Sequence, residues 1–279
     1  MHSPQLSKIN PRPFWLAASI IPAALICVFP AAAQNSPGAK AQGSATAAVF
    51  PQGRREDPNW PPKGPTPMTP DGKPDLSGAW QPNAFPENVN LPKALKRIGV
   101  EIPFMPWSKE LYDKRRANDS ADDPEGHCLP PGVPRMNTTP YPFRIMQTPN
   151  LILIVYEGGA HVWRQIFTDG RPHPKDPNPT WLGDSIGHWE GDTLVVDTVG
   201  LNGKSWIDES GLPSTESLHV IERFRRPDLG HLEIVNTVDD PKAYTKPWSF
   251  TTHPVMLKGE LMEYICQENN RDVEHLVGK

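Results

Sequence analysis

The chain has 279 residues and a formal net charge of −4 at pH 7, long enough for one large domain or two small ones. Charged residues make up 22% and hydrophobic ones 37%, which argues against a charged disordered tail and against a multi-span membrane protein. The acidic balance also argues against nucleic acid as a partner.

Residues 1–33 read as a secretory signal peptide. Lys8 and Arg12 form a basic start, Phe14 to Phe29 is an apolar run broken by Pro22, and Ala31-Ala32-Ala33 before Gln34 is a small-residue cleavage pattern. The mature chain is then expected to begin near Gln34, with no membrane contact after cleavage and a periplasmic or secreted address. Cys27 leaves with the signal, so Cys128 and Cys266 remain and are expected to form one disulfide.

Residues 34–74, rich in Ala, Gly, Ser and Pro, read as a disordered leader. Residues 75–279 read as a single β-barrel domain with an N-terminal arm. Of the 35 prolines, 26 lie in residues 1–150. Proline lacks a backbone donor and is poorly tolerated inside helices and central strands, so the first half is expected to be irregular. Asp75–Trp80 reads as a short strand. Two short helices follow, one with Pro92 in its first turn and Gly99 past its end, the other capped by Ser108 and running to about Asn118.

After Pro142 the pattern changes to strands. Phe143–Gln147, Leu151–Glu157, His161–Thr168, Ser185–Glu190, Thr193–Thr198, Leu218–Arg226, His231–Val238, Trp248–Thr252 and Leu261–Gln267 are apolar or alternating runs separated by Gly, Asp and Pro turns. This predicts a mainly β fold, an antiparallel up-and-down barrel or a sandwich rather than βαβ units. Glu222 is in phase with Leu218, Val220 and Phe224, and Asp197 with Val195. If those apolar residues face inward, both carboxylates line a cavity; the plainer reading places them at an exposed rim.

The densest motif runs from Asp169-Gly170-Arg171-Pro172-His173-Pro174 through Trp181, Gly183, Ser185, Gly187 and Trp189 to Glu190-Gly191-Asp192-Thr193-Leu194-Val195-Val196-Asp197-Thr198. Together with Cys128–Arg135, His219–Arg223, Asp240–Trp248 and Cys266–Asn269, it resembles a widespread group of exported bacterial proteins of no established activity. The resemblance covers about residues 75–270. It implies a lipocalin-like fold and export and hands over no mechanism; the expected fold is then an antiparallel calycin or lipocalin-like barrel with a proline-rich N-terminal arm.

The chemistry therefore rests on residue types. His173, beside Arg171 and Asp169, is a candidate general base, with His219 as the alternative. Glu222 or Asp197 would be the orienting or acid group, and Arg164 or Arg171 the oxyanion or carboxylate binder. The plainer reading of Arg171 is a brace across its own turn. Arg164, Glu157, Trp181, Trp189 and Trp248 are candidate substrate-binding residues, although tryptophan serves equally as core filler. Asp184, Ser185 and His188 lack the spacing of a nucleophile elbow. No metal-ligand spacing and no nucleotide-binding glycine motif occurs, so no cofactor is expected. The expected function is acid–base catalysis, by a lyase, isomerase or hydrolase, on a small organic molecule held in the barrel; the alternative is a non-catalytic binder of a small apolar or aromatic ligand.

Overall fold

The computed structural model describes residues 57, 59–82, 90–159, 162–266 and 268; the signal segment 1–33 and the leader through residue 56 lie outside them. Ten strands form one sheet: β1 (Gly78–Gln81), β2 (Phe143–Gln147), β3 (Leu151–Tyr156), β4 (Trp163–Phe167), β5 (Asp184–Glu190), β6 (Thr193–Val199), β7 (His219–Asp228), β8 (His231–Asp239), β9 (Trp248–Thr252) and β10 (Val255–Met256). Strands β1 to β8 pair in sequence order and β10 pairs with both β8 and β1, so nine strands close into a calycin-like barrel and β9 is the extra one.

The closure has a local cause. Strands β9 and β10 share one register against β8, with Thr252 opposite Ile234 and Val255 opposite His231. Between them the Leu232 amide donates to the Pro254 carbonyl at 2.8 Å. Proline has no N–H to return, so the strand is interrupted there, and its continuation turns across to β1. The strand expected at Leu261–Gln267 does not form. Residues 261–266 are irregular, Glu157 takes the Met262 amide at 2.8 Å, and Met262 and Ile265 remain exposed. Gln267 lies outside the described residues.

The barrel is antiparallel except at β4 and β5, which run parallel and share a single bridged pair, Phe167 with Ile186. The crossover between them, residues 168–183, carries four prolines, Pro172, Pro174, Pro177 and Pro179. It returns to the starting end of the barrel before β5 begins. Alternation sets the interior elsewhere: in β3, Ile152, Ile154 and Tyr156 are buried while Leu151, Leu153 and Val155 are only half-buried.

One barrel end is covered by a collar made of residues 90–142, 200–218 and 240–247. Helix α1 (Leu91–Arg97) has Asn90 as its N-cap, accepting the Lys93 amide at 3.0 Å, and Gly99 follows in the left-handed region. Leu91 and Leu95 pack with Val133, Ile207, Leu212, Val220, Val238 and Phe250 at that end. Helix α2 (Pro106–Ala117) starts at Pro106, not at Ser108 as expected; the fixed φ of proline suits a first helical position. Ser108 lies inside the first turn and donates to the carbonyls of Met105 and Ala243. Arg115 lies 4.4 Å over the Trp206 ring and donates to the Gly211 carbonyl, fixing α2 to the collar.

Residues 59–74, which composition assigned to the leader, pack on the β7–β8 hairpin. The Trp60 indole N–H donates to the Met256 carbonyl at 2.7 Å, the Thr66 hydroxyl to the Arg226 carbonyl at 2.8 Å, and the Leu229 amide to Gly64 at 3.0 Å. Hydrogen bonds of this kind to main-chain carbonyls compensate for a composition that buries little apolar area.

Cys128 and Cys266 form the expected disulfide across 138 residues, a bond suited to an oxidising compartment. Among the described residues no helix is long and apolar enough to cross a membrane. Cys266→Ser is expected to lower stability by about 4 kcal/mol, the chain-entropy scale for a loop of this length, read as a shift in the urea midpoint; an unchanged midpoint would show that the bond constrains little.

Candidate functional site

Three groups of polar side chains are built on this frame. The first lies inside the barrel. On β7, Glu222 falls between Val220 of the collar-end cluster and Phe224 of the second apolar cluster, and it is fully buried. Arg164 of β4 reaches it with two ends of the guanidinium, one at 2.9 Å to Oε1 and the other to Oε2. Arg164 Nε donates to Ser185 at 3.1 Å and Nη2 to Thr198 at 2.8 Å. Asn137 descends from the collar and donates to Glu222 Oε1 at 2.5 Å, and Asn236 completes the layer. Burial works against the Arg164 charge, but Glu222 holds its pKa above the ordinary arginine value. These groups satisfy one another, as a buried ion pair requires, and Arg164 offers a substrate no vacant fork.

The second group lies on the outer wall. Asp197 faces outward, contrary to the inward alternative, because Val195 is itself on the outer side while Leu194, Val196 and Thr198 point in. His173 in the crossover sits between two carboxylates, with Nδ1 at 2.6 Å from Asp184 and Nε2 at 3.1 Å from Asp197. His219 shares Asp197 at 2.8 Å. Residues two apart share a face and adjacent ones do not, so the sheet itself separates His173 from Glu222. The single site expected to unite His173 with Glu222 or Arg164 does not form. Arg171 braces its own turn through Asp169 at 2.6 Å and covers the Phe167 ring at 3.9 Å.

The expected substrate-binding set is also dispersed. Trp248 is core, between Tyr244 and Phe250, and Trp189 packs against the second apolar cluster. Trp181 is half-buried in the crossover. Glu157 anchors the C-terminal segment. His188 is exposed and pairs with Glu190, while Ser185 belongs to the Arg164 layer, so no hydrolase triad forms.

The third group was not singled out from sequence and lies in the collar. The segment Cys128–Arg135 plugs the barrel end, turning at Gly132, where φ is +80° and a Cβ would stand 2.5 Å from the Ser205 side chain. Only glycine fits that position. The plug sends Asn137 downward and Arg135 upward. Arg135 is buried and grips Asp123 through two contacts of 2.7 Å and Glu125 through one of 2.8 Å. Asp123 also caps the single turn Pro124–His127 that carries Glu125. Glu209 approaches from the 200–218 loop, positioned by its neighbour Asp208. That carboxylate is fully buried and accepts the Leu91 amide, the Ser210 hydroxyl and the Leu212 amide.

Two carboxylates thus contact the Arg135 guanidinium and two more, Asp208 and Glu209, lie within its electrostatic reach; Glu125 and Glu209 keep unspent capacity. Glu125 Oε1 and Arg135 Nε are buried with no hydrogen-bond partner among the described residues. Glu209 accepts no hydrogen bond from a described residue. Burial pushes the Glu209 carboxyl up to about 7, with Arg135 pulling down and Glu125 and Asp123 pushing further up. Burial also raises Glu125. Tyr141 lies close enough for both carboxylates to raise its phenol beyond the effect of burial, and its ring stacks with Tyr264 at 5.4 Å. Among the described residues no group of three or more His, Cys, Asp or Glu is arranged to hold a metal ion. The signal available in sequence was the acidic Asp208-Glu209 pair set between apolar Ile207 and Leu212.

No protein-family model matches the chain, and no curated protein is similar to it.

Proposed function

We propose that the chain is an exported enzyme, periplasmic or secreted, that performs acid–base chemistry on a small organic molecule at the collar of the barrel. Glu209 is the proton-transfer group, Glu125 the second carboxyl of the pair, and Arg135 the fixed charge that orients both. The reaction class is that of a lyase, isomerase or hydrolase. The observation that carries this reading is that Glu209, which accepts no hydrogen bond from a described residue, shares the collar with two buried polar atoms that have no hydrogen-bond partner among the described residues, Glu125 Oε1 and Arg135 Nε. Buried polar groups are ordinarily paired, and unspent ones at a rim are where a substrate finds its contacts. A carboxyl that titrates near neutrality donates and accepts protons with little driving-force penalty. The interior layer supports the same placement, because Arg164 and Glu222 saturate each other.

The test is a conversion screen. Purified wild type and Glu209→Gln are each incubated with a small-molecule extract, and the mixture is followed by mass spectrometry. The reading expects at least one molecule consumed by wild type and spared by the variant. Consumption by both proteins at equal rates, or by neither, contradicts it.

A further inference from the structure

The parallel junction of β4 and β5 leaves the barrel wall open. From β2 to β9 the other neighbouring strands share at least five paired residues each, but here Phe167 and Ile186 form the single bridge, and the strands part toward Trp163 and Asp184. The gap is a cleft of about 280 Å³ lined on one side by Trp163, Gln165 and Phe167 and on the other by Leu182, Gly183, Asp184 and Ser185. That volume lies at the small end of ligand sites. Trp163 is 61% exposed at its edge, an unusual placement for the largest apolar side chain. Leu182 is held rigidly, since it packs against both apolar clusters.

The polar lining sets the charge of the occupant. Arg164 forms the floor, yet its guanidinium is turned inward and is neutralised by Glu222. Arg171, above Phe167, is paired with Asp169 and also lies within the electrostatic reach of Asp184. Asp184 spends one oxygen, Oδ1, on His173; Oδ2 and the Gln165 amide form no hydrogen bond with a described residue. The cleft therefore offers an aromatic face, a carboxylate oxygen and an amide carbonyl, and no uncompensated cation.

We infer that this cleft binds a small aromatic amine, with its ring against Trp163 and its ammonium group directed to Asp184 and Gln165. The aromatic wall supplies stacking and cation–π attraction, and the carboxylate supplies a charge-assisted hydrogen bond. The site lies in the wall and uses none of the collar residues, so it stands independently of the proposed catalytic role.

Calorimetric titration of the full mature protein with tryptamine and with indole-3-acetate tests this. The two probes share a ring system and carry opposite charges. Saturable one-to-one binding of tryptamine is expected, with indole-3-acetate weaker by about ten-fold or more. Trp163→Ala removes an exposed side chain and leaves folding intact; it is expected to weaken tryptamine about ten-fold. Asp184→Asn is expected to erase the preference for tryptamine over indole-3-acetate. No saturable tryptamine binding, unchanged affinity in Trp163→Ala, or an equal preference retained in Asp184→Asn would each overturn the assignment.

Discussion

Glu209→Gln is expected to lower turnover by about 10²-fold or more, the usual cost of losing a general acid or base, while making the protein more stable above pH 7. The two effects share one cause. In the folded chain burial holds this carboxyl near 7, against an ordinary value of 4.5. The folded state therefore binds the proton more tightly than the unfolded state. Stability contributed by that difference is fully present below about 4.5 and is lost as pH rises through about 7. The penalty at pH 8 is on the order of 3 kcal/mol at most, reduced by the partial exposure of the group. Glutamine keeps the shape and never ionises, so the variant escapes this penalty. Urea denaturation at pH 5 and pH 8 reads it: the wild type should lose more midpoint between the two values than the variant. A variant less stable than wild type at pH 8 would show that the Glu209 charge is structural. Such a gain of stability on loss of activity is the pattern of a residue kept for function.

The buried pair behaves in the opposite way. Arg164→Met is expected to destabilise the barrel by about 3–5 kcal/mol, because it leaves Glu222 charged or protonated inside with Asn137 as its main remaining partner. The double change Arg164→Met with Glu222→Leu is expected to recover much of that loss, since apolar groups of similar volume often replace a buried pair without cost. A double-mutant cycle by equilibrium denaturation measures the coupling. If the double variant falls as far as the sum of the two singles, the pair is not acting as a unit. Neither change is expected to remove collar chemistry directly.

The strands were legible because their alternation is strong. Runs such as Leu151–Tyr156 and His231–Asp239 bury every second residue, and Glu222 was correctly in phase with Val220 and Phe224. The parallel step at β4 and β5 was not legible, because period-two patterning carries no information about strand direction. Strand β10 is two residues long and left no pattern. Phase also failed at Asp197: Val195 and Val196 are both apolar, so the run does not say which of them faces in. His173 looked catalytic because a histidine beside carboxylates is the common signature of a base. In the fold it bridges Asp184 and Asp197 and so holds the proline-rich crossover to the wall, on the other side of the sheet from Glu222. Glu125, Arg135 and Glu209 are 84 positions apart at their extremes, and only the folding of the collar brings them together. Nothing in local sequence spacing records such an encounter.

The most direct test of the account is a pH titration of the glutamate side-chain carboxyls by carbon NMR in ¹³C-labelled protein. One carboxyl resonance with a midpoint near 7, absent from the spectrum of Glu209→Gln, is the predicted result. A wild-type spectrum in which the Glu209 resonance titrates in the ordinary range near 4.5 would contradict the placement of the acid–base centre in the collar.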